Sequence, residues 1–281
     1  MAIARGLKAS RPLPCWVPAA CGLILVCIFI QGPVRVKQSP LLRSMIQKIN
    51  LEHILFLDIE TVPEQEAFSA LEEEKQELWA QKSRYRRRDE IPAEEFYDQA
   101  GIWAEFGKII CISAGYFHWK GRERTFRLTS FHGEEQEILG HFRNLLHDHF
   151  GEPKHLLCAH NGKEFDFPYL ARRMIIHGIA LPDKLDLFGK KPWEVPHLDT
   201  MELWKFGDFK HYTSLKLLAN ILGISSPKED MDGSMVRDVY YKDRDLDRII
   251  AYCELDVVTL AQVFLKFRND PLLEEHEIVK R

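Results

Sequence analysis

A single α/β domain built on a mixed sheet is what this sequence predicts, on three observations. Residues 53–59 form an apolar run bounded by polar residues, as in a strand covered on both faces. Three strand-like stretches come first, strands and helices then mix, and a long amphipathic segment closes the chain. No internal repeat and no linker composition appears after residue 50, and 281 residues are enough for one large domain with a substantial core.

The elements follow in order. After the first strand, residues 65–88 are charged and free of glycine, with Phe68, Leu71, Leu78 and Trp79 near helical spacing, which predicts a mostly exposed helix or helical hairpin. Residues 108–118 and 124–131 read as two strands joined by a hairpin turn at Lys120 and Gly121. Ile138, Leu139, Phe142, Leu145 and Leu146 give 133–150 a helical period. A short apolar strand at 155–160 runs directly into Asn161 and Gly162, and a helix follows over 167–177. A loop holding Pro182, Pro192 and Pro196 leads to a strand-like piece at 195–200, and the last helices are expected at 214–222 and 243–267.

Composition narrows the class. With 46% hydrophobic and 28% charged residues the chain is an ordinary globular one. Its formal net charge of −4 excludes a polycation but leaves nucleic acid open as a substrate, because local basic surface steers a phosphate backbone. Cys111, Cys158 and Cys253 lie in apolar stretches without CxxC or Cys/His spacing, so zinc and a disulfide framework are not expected. Reduced, buried thiols fit a cytoplasmic protein.

Residues 1–44 differ from the rest. Arg5, Lys8 and Arg11 precede an apolar run at 13–30, broken by Pro14, Pro18 and Gly22, which also holds Cys15, Cys21 and Cys27. Three readings stand: a leader, a membrane anchor through 13–30, or an untranslated upstream segment with translation starting at Met45. The domain itself is expected over 45–270, with a C-terminal tail at 271–281.

The chemistry sits in three short segments: Asp58 and Glu60 in ILFLDIET, Asp166 in HNGKEFDF, and Tyr252 and Asp256 in YCELD. Residues two apart on a strand point the same way, so Asp58 and Glu60 project together from the end of the first strand. Residues four apart on a helix share a face, so Tyr252 and Asp256 do as well. Asp166 opens the helix after the 155–160 strand. Each segment alone has an ordinary explanation, such as a strand end, an N-cap or a rim pair. Together and in this order they describe four carboxylates at one spot. Such a cluster repels itself unless cations sit between its members, and oxygen ligands favour Mg²⁺ or Mn²⁺.

The three segments, over about 45–267, resemble the motifs of the DEDD superfamily of 3′–5′ exonucleases in its tyrosine-bearing branch. The nearest likeness is to a bacterial family of predicted exonucleases related to the proofreading domain of family B DNA polymerases. The resemblance implies a ribonuclease H-like fold with a mixed central sheet flanked by helices. It also implies Asp58, Glu60, Asp166 and Asp256 as ligands of two ions, with Tyr252 contacting the attacking water. The expected reaction is a metal-dependent in-line hydrolysis at the 3′ end of single-stranded nucleic acid, DNA foremost, by a two-metal mechanism.

Around these groups, Thr61, Asn161 and Phe165 are candidate substrate contacts. Two basic groups are candidates to track a strand: Lys82, Arg84, Arg86, Arg87 and Arg88, and the loop Gly189, Lys190, Lys191, Pro192 and Trp193. Both have the plainer reading of solvated surface. His197 and Asp199 in HLDT, like His160, are expected to make structural hydrogen bonds. The length leaves no room for a polymerase domain, so action in trans beside replication or repair machinery is the remaining partnership. A catalytically silent binding module and an endonuclease on the same fold are the alternatives, separable by metal-dependent digestion and by product length.

Overall fold

Alternation along the first strand decides how the molecule is layered. The computed structural model describes residues 45–87, 90–208, 212–225 and 231–281. In it β1 spans Ile54–Pro63. Leu55, Leu57 and Ile59 enter one core, shared with helices α2 (Glu135–His149) and α3 (Asp166–Ile176). Ile54 and Phe56 enter the opposite core, beneath α7 (Leu246–Arg268). Asp58 and Glu60 continue the second series, so the strand itself aims both carboxylates toward α7.

β2 (Gly107–Lys120) and β3 (Glu123–His132) complete an antiparallel meander with β1. Gly121, at φ +66°, makes the expected hairpin turn. β4 (Leu156–Ala159) and β5 (Leu198–Asp199) then add parallel on the other side of β1, giving the order β5-β4-β1-β2-β3-β6. This mixed sheet between helices is the ribonuclease H-like arrangement that the resemblance implied. Phe56 anchors α7 to it, meeting Phe117, Phe126 and Phe264 edge to face at 5.7, 5.9 and 5.7 Å. Gly115 is needed there, because a Cβ would stand 2.4 Å from the Phe126 ring.

Several elements depart from expectation. α1 starts only at Glu73 and ends at Arg87; before it stand a single 3-10 turn, Phe68–Ala70, and buried Leu71. Trp79 is wholly buried, held by Tyr97, Trp103 and Phe106 from a stretch with no recognisable period, part of it a 3-10 helix at Glu95–Ile102. The expected strand at 195–200 shrinks to two residues, because Thr200 already opens α4 (Thr200–Lys205). After α5 (Leu215–Ile221), the turn α6 (Val236–Asp238) and a π turn at Val239–Asp243 precede α7. The 271–281 tail carries β6 (Ile278–Lys280), which pairs parallel with β3.

Cys111, Cys158 and Cys253 are buried free thiols, as expected. Residues 1–44, including the 13–30 run and its three cysteines, lie outside the described residues. No helix among the described residues is long and apolar enough to cross a membrane.

Candidate active site

β4 pairs with β1 only along Ile54–Phe56 and stops at Ala159, leaving the outer edge of β1 uncovered from Asp58 onward. The turn at 160–165 and the first residue of α3 fill that gap. Asn161 takes a left-handed conformation, φ +63°, and Gly162 packs so closely that a Cβ would meet that of Ala159 at 2.3 Å. This tight turn delivers Asp166 to the edge of β1, beside the backbone of Ile59.

Opposite the turn, β1 is paired with β2 through an irregularity: Glu60 faces Cys111, but Thr61 faces Ile109. Ile110 is the extra residue of a β-bulge. It joins the apolar cluster of Val62, Val239, Tyr241 and Ile249, while Ile109 and Ile112 both face the other core. The bulge thus closes one side of the site with an isoleucine and leaves the Cys111 thiol beneath Glu60.

The four carboxylates lie within reach of one another's charge. Burial, then the charges of Glu60, Asp256 and Asp166, raise the Asp58 pKa well above the carboxylate range. Burial, Asp256 and Asp166 do the same to Glu60. Asp166, 3% exposed, is pushed up to about 7 by burial, against backbone N–H groups that pull it down. Its Oδ1 is buried without a hydrogen-bond partner. Four acids crowded this way resist ionisation together, and an unpartnered buried oxygen calls for a donor or a cation.

α7 supplies the remaining groups. Tyr252 and Asp256, one turn apart, share the face toward β1, and the phenol hydrogen-bonds to the Asp256 carboxylate. Burial and the surrounding acids raise the Tyr252 pKa far above its usual value, so the hydroxyl keeps its proton. Between them stands a residue that sequence reasoning left in the core. Cys253 Sγ donates to the Asp58 carbonyl at 3.5 Å and to Oδ2 at 3.6 Å. Asp58, Glu60 and Cys253 offer ligand atoms within 4.8 Å of one another. Burial raises the Cys253 pKa strongly, so it serves as a thiol donor holding Asp58. The signal was available: Cys253 and Asp256 are three apart on one helix.

Asp199 proves structural, as expected. It caps α4 by accepting from Met201 and Glu202 N–H, and it holds the neighbouring turn by accepting from Asn161 at 3.0 Å and Lys163 at 3.1 Å. His197 accepts from Leu157 N–H and donates to the Lys184 carbonyl, and burial lowers its pKa to about 4. Thr61 lies against the Tyr169 hydroxyl. Phe165 packs partly into the first core, 5.3 Å from the Tyr169 ring, and Asn161 Oδ1 is buried without a partner. In the basic run, Lys82 faces Glu105, Arg86 covers the Trp103 ring and Arg87 bonds the Ile91 carbonyl, while Arg88 lies outside the described residues. Lys191 sits over Trp193, which is exposed.

The family model for predicted 3′–5′ exonucleases related to the exonuclease domain of PolB matches residues 102–275. The chain belongs to that family. The matched stretch of this predicted exonuclease holds Asp166, Tyr252 and Asp256; Asp58 and Glu60 precede it and reach the site through the sheet. Among solved structures, the family B DNA polymerase from the hyperthermophilic archaeon Pyrobaculum calidifontis is similar over 75% of this chain, at 15% identity and a TM-score of 0.46. The chain spans 24% of that polymerase's length. Among curated proteins none matches.

Proposed function

We propose that this family member is a metal-dependent exonuclease of the tyrosine-bearing DEDD type, its domain being the expected 45–270 with the β6 tail added to the sheet. It hydrolyses phosphodiester bonds from the 3′ end of single-stranded nucleic acid, DNA foremost. The observation that carries the reading is that the charges of Asp58, Glu60, Asp166 and Asp256 oppose one another in a buried setting where an Asp166 oxygen has no partner. This is a donor set for hard divalent cations, Mg²⁺ or Mn²⁺.

Asp58, whose pKa is raised by the charges of the other three, would hold the cations together with Glu60, Asp166 and Asp256. Such ions, when bound, would lower the pKa of a water and stabilise the leaving 3′-oxygen. The chain's own groups do the rest. Tyr252, its O–H given to the Asp256 carboxylate, can accept a hydrogen bond from the water and so orient it. Cys253 holds the Asp58 carboxylate, and Asn161, Phe165 and Thr61 are the candidates to contact the terminal nucleotide. Replication or repair complexes presenting free 3′ ends are the setting such an activity suits.

The test is digestion of end-labelled single-stranded DNA and RNA with Mg²⁺, Mn²⁺ or EDTA, reading product length. Mononucleotide release from the 3′ end, abolished by EDTA and by Asp58→Asn, is the expected result. Internal fragments from a 3′-blocked strand would identify an endonuclease instead, and activity surviving in folded Asp58→Asn protein would sink this site.

A further inference from the structure

α3 carries two apolar stripes, and the core takes only one of them. Phe167, Leu170 and Met174 are buried in the first core. Pro168, Ala171, Arg172 and Ile175, three and four apart, form a second stripe that lines a groove. Leu181, Leu185, Leu187 and Phe188, from the loop after α3, complete the lining. That loop is pinned in place. Lys184 Nζ donates to the Glu152 and His155 carbonyls at 2.6 and 2.8 Å, and Leu185 N–H to the Pro182 carbonyl at 2.8 Å. Gly189, at φ +70°, turns the chain immediately after Phe188.

Leu185 is buried, but Ile175 is 50% and Phe188 74% exposed, so neither of these two completes the core. Apolar surface that continues from a helix stripe onto a fixed loop, with charge at its rim, marks an interaction site. The groove encloses about 260 Å³, less than the roughly 300–1,000 Å³ of small-molecule sites, which suits an inserted side chain of a peptide. Arg172 is the only charged residue in its lining, and among the described residues its guanidinium has neither an ion pair nor a hydrogen bond. Lys190 and Lys191 extend the positive charge past the Gly189 turn, whereas Asp183 and Asp186 of the same loop do not line the groove. The walls are mostly aliphatic and offer no stack of aromatic platforms for successive bases. A bulky apolar side chain next to a carboxylate matches both the groove and its charge.

We propose that this groove is a docking site for an acidic peptide segment of a partner protein, which inserts a bulky apolar side chain between α3 and the Phe188 loop and pairs an adjacent carboxylate with Arg172. The inference goes beyond the nuclease reading and does not depend on it, because it concerns recruitment and not turnover.

The experiment follows the anisotropy of fluorescein-labelled peptides titrated with the full chain: one with Leu-Phe between two Asp-Asp pairs, one with Lys-Lys pairs in their place, and one with Gly-Gly replacing Leu-Phe. The acidic Leu-Phe peptide should bind saturably and the other two about tenfold more weakly or worse. Phe188→Ala should weaken the acidic peptide about tenfold, and Arg172→Glu should reverse the preference, losing the acidic peptide and gaining the lysine-bearing one. Both side chains are exposed, so both variants should melt like wild type and digest single strands at its rate. Equal binding of the acidic and lysine-bearing peptides, no saturation at millimolar peptide, or variants that bind like wild type would overturn the proposal. A concentration-dependent dimer that Phe188→Ala dissolves would overturn it by giving the groove to a second copy. A tenfold loss of single-stranded oligonucleotide binding in Phe188→Ala would do so by giving it to substrate. A chain that digests no strand with Mg²⁺ or Mn²⁺ would end the nuclease reading and leave the peptide result to decide this one.

Discussion

Asp166 keeps one carboxylate oxygen in the interior with nothing to bond, and its pKa near 7 records the cost. Asparagine has the same shape without the charge. Asp166→Asn should therefore melt higher than wild type in EDTA, by a few degrees if the relief is on the order of 1–2 kcal/mol in a chain of this size. Calorimetry would read the gain, and the digestion assay the accompanying loss of turnover; a variant that melts lower would mean that the site carries no such repulsion. Tyr252 gives a complementary case. Tyr252→Phe leaves every carboxylate in place and removes one donor, so turnover should fall roughly 10²-fold, as for a misplaced reactant. Mg²⁺ affinity, read by calorimetric titration, should stay near wild type. A loss of Mg²⁺ binding in that variant would make Tyr252 a structural support of Asp256 and not an orienter of water.

Between elements, the ion pair joining α2 to α3 holds the site's second acidic segment in place. Glu135, 8% exposed, takes Ile109 N–H at 2.7 Å and Arg173 Nε at 2.8 Å on Oε1, and a second Arg173 nitrogen and His177 on Oε2. Hydrogen bonds from Arg173 lower the Glu135 pKa despite its burial. Removing the guanidinium strands a buried carboxylate, so Arg173→Met should cost about 3–5 kcal/mol in urea unfolding. Adding Glu135→Gln to it should return part of that, because the second change removes the stranded charge. At this scale the sequence was readable wherever a period lasted: β1 to β3, α2, α3 and α7 fall where apolar alternation or helical spacing puts them. It was unreadable where one residue or one distant partner decided the outcome. The Ile110 bulge adds a single residue to an otherwise regular strand, and β5 ends after two because Asp199 prefers capping α4. Trp79 is buried by rings from a stretch with no period. The acidic pairs were legible because their spacing lies within single elements; the Cys253 contact depends on packing between elements that no local pattern records.

Over the whole molecule, the raised carboxylates link stability to pH. Asp58, Glu60 and Asp166 titrate higher in the folded chain than in the unfolded one; for Asp166 the folded state holds, between about pH 4 and 7, a proton that the unfolded state has lost, and Asp58 and Glu60 act in the same direction. Their contribution to stability therefore falls as pH rises through that window. His160 and His197, with lowered pKa values, act in the opposite sense and weaken the fold as pH drops below about 6.5. Subtracting the Asp166→Asn melting curve from wild type cancels the histidines. In EDTA that difference should widen from pH 5.5 to 7.5, and saturating Mg²⁺ should shrink it by replacing protons with cations. A difference independent of pH would remove the linkage. The short C-terminal strand has a separate consequence. Arg124 clamps Glu277 through two nitrogens and bonds the Pro271 and Leu272 carbonyls, laying β6 along the outer rim of β3, and Arg281 N–H continues the ladder to Leu128. Without that clamp the rim would present a row of unpaired amides ready to template another copy, so shortening the chain at residue 274 should bring on concentration-dependent self-association, visible as rising light scatter, before any loss of catalysis.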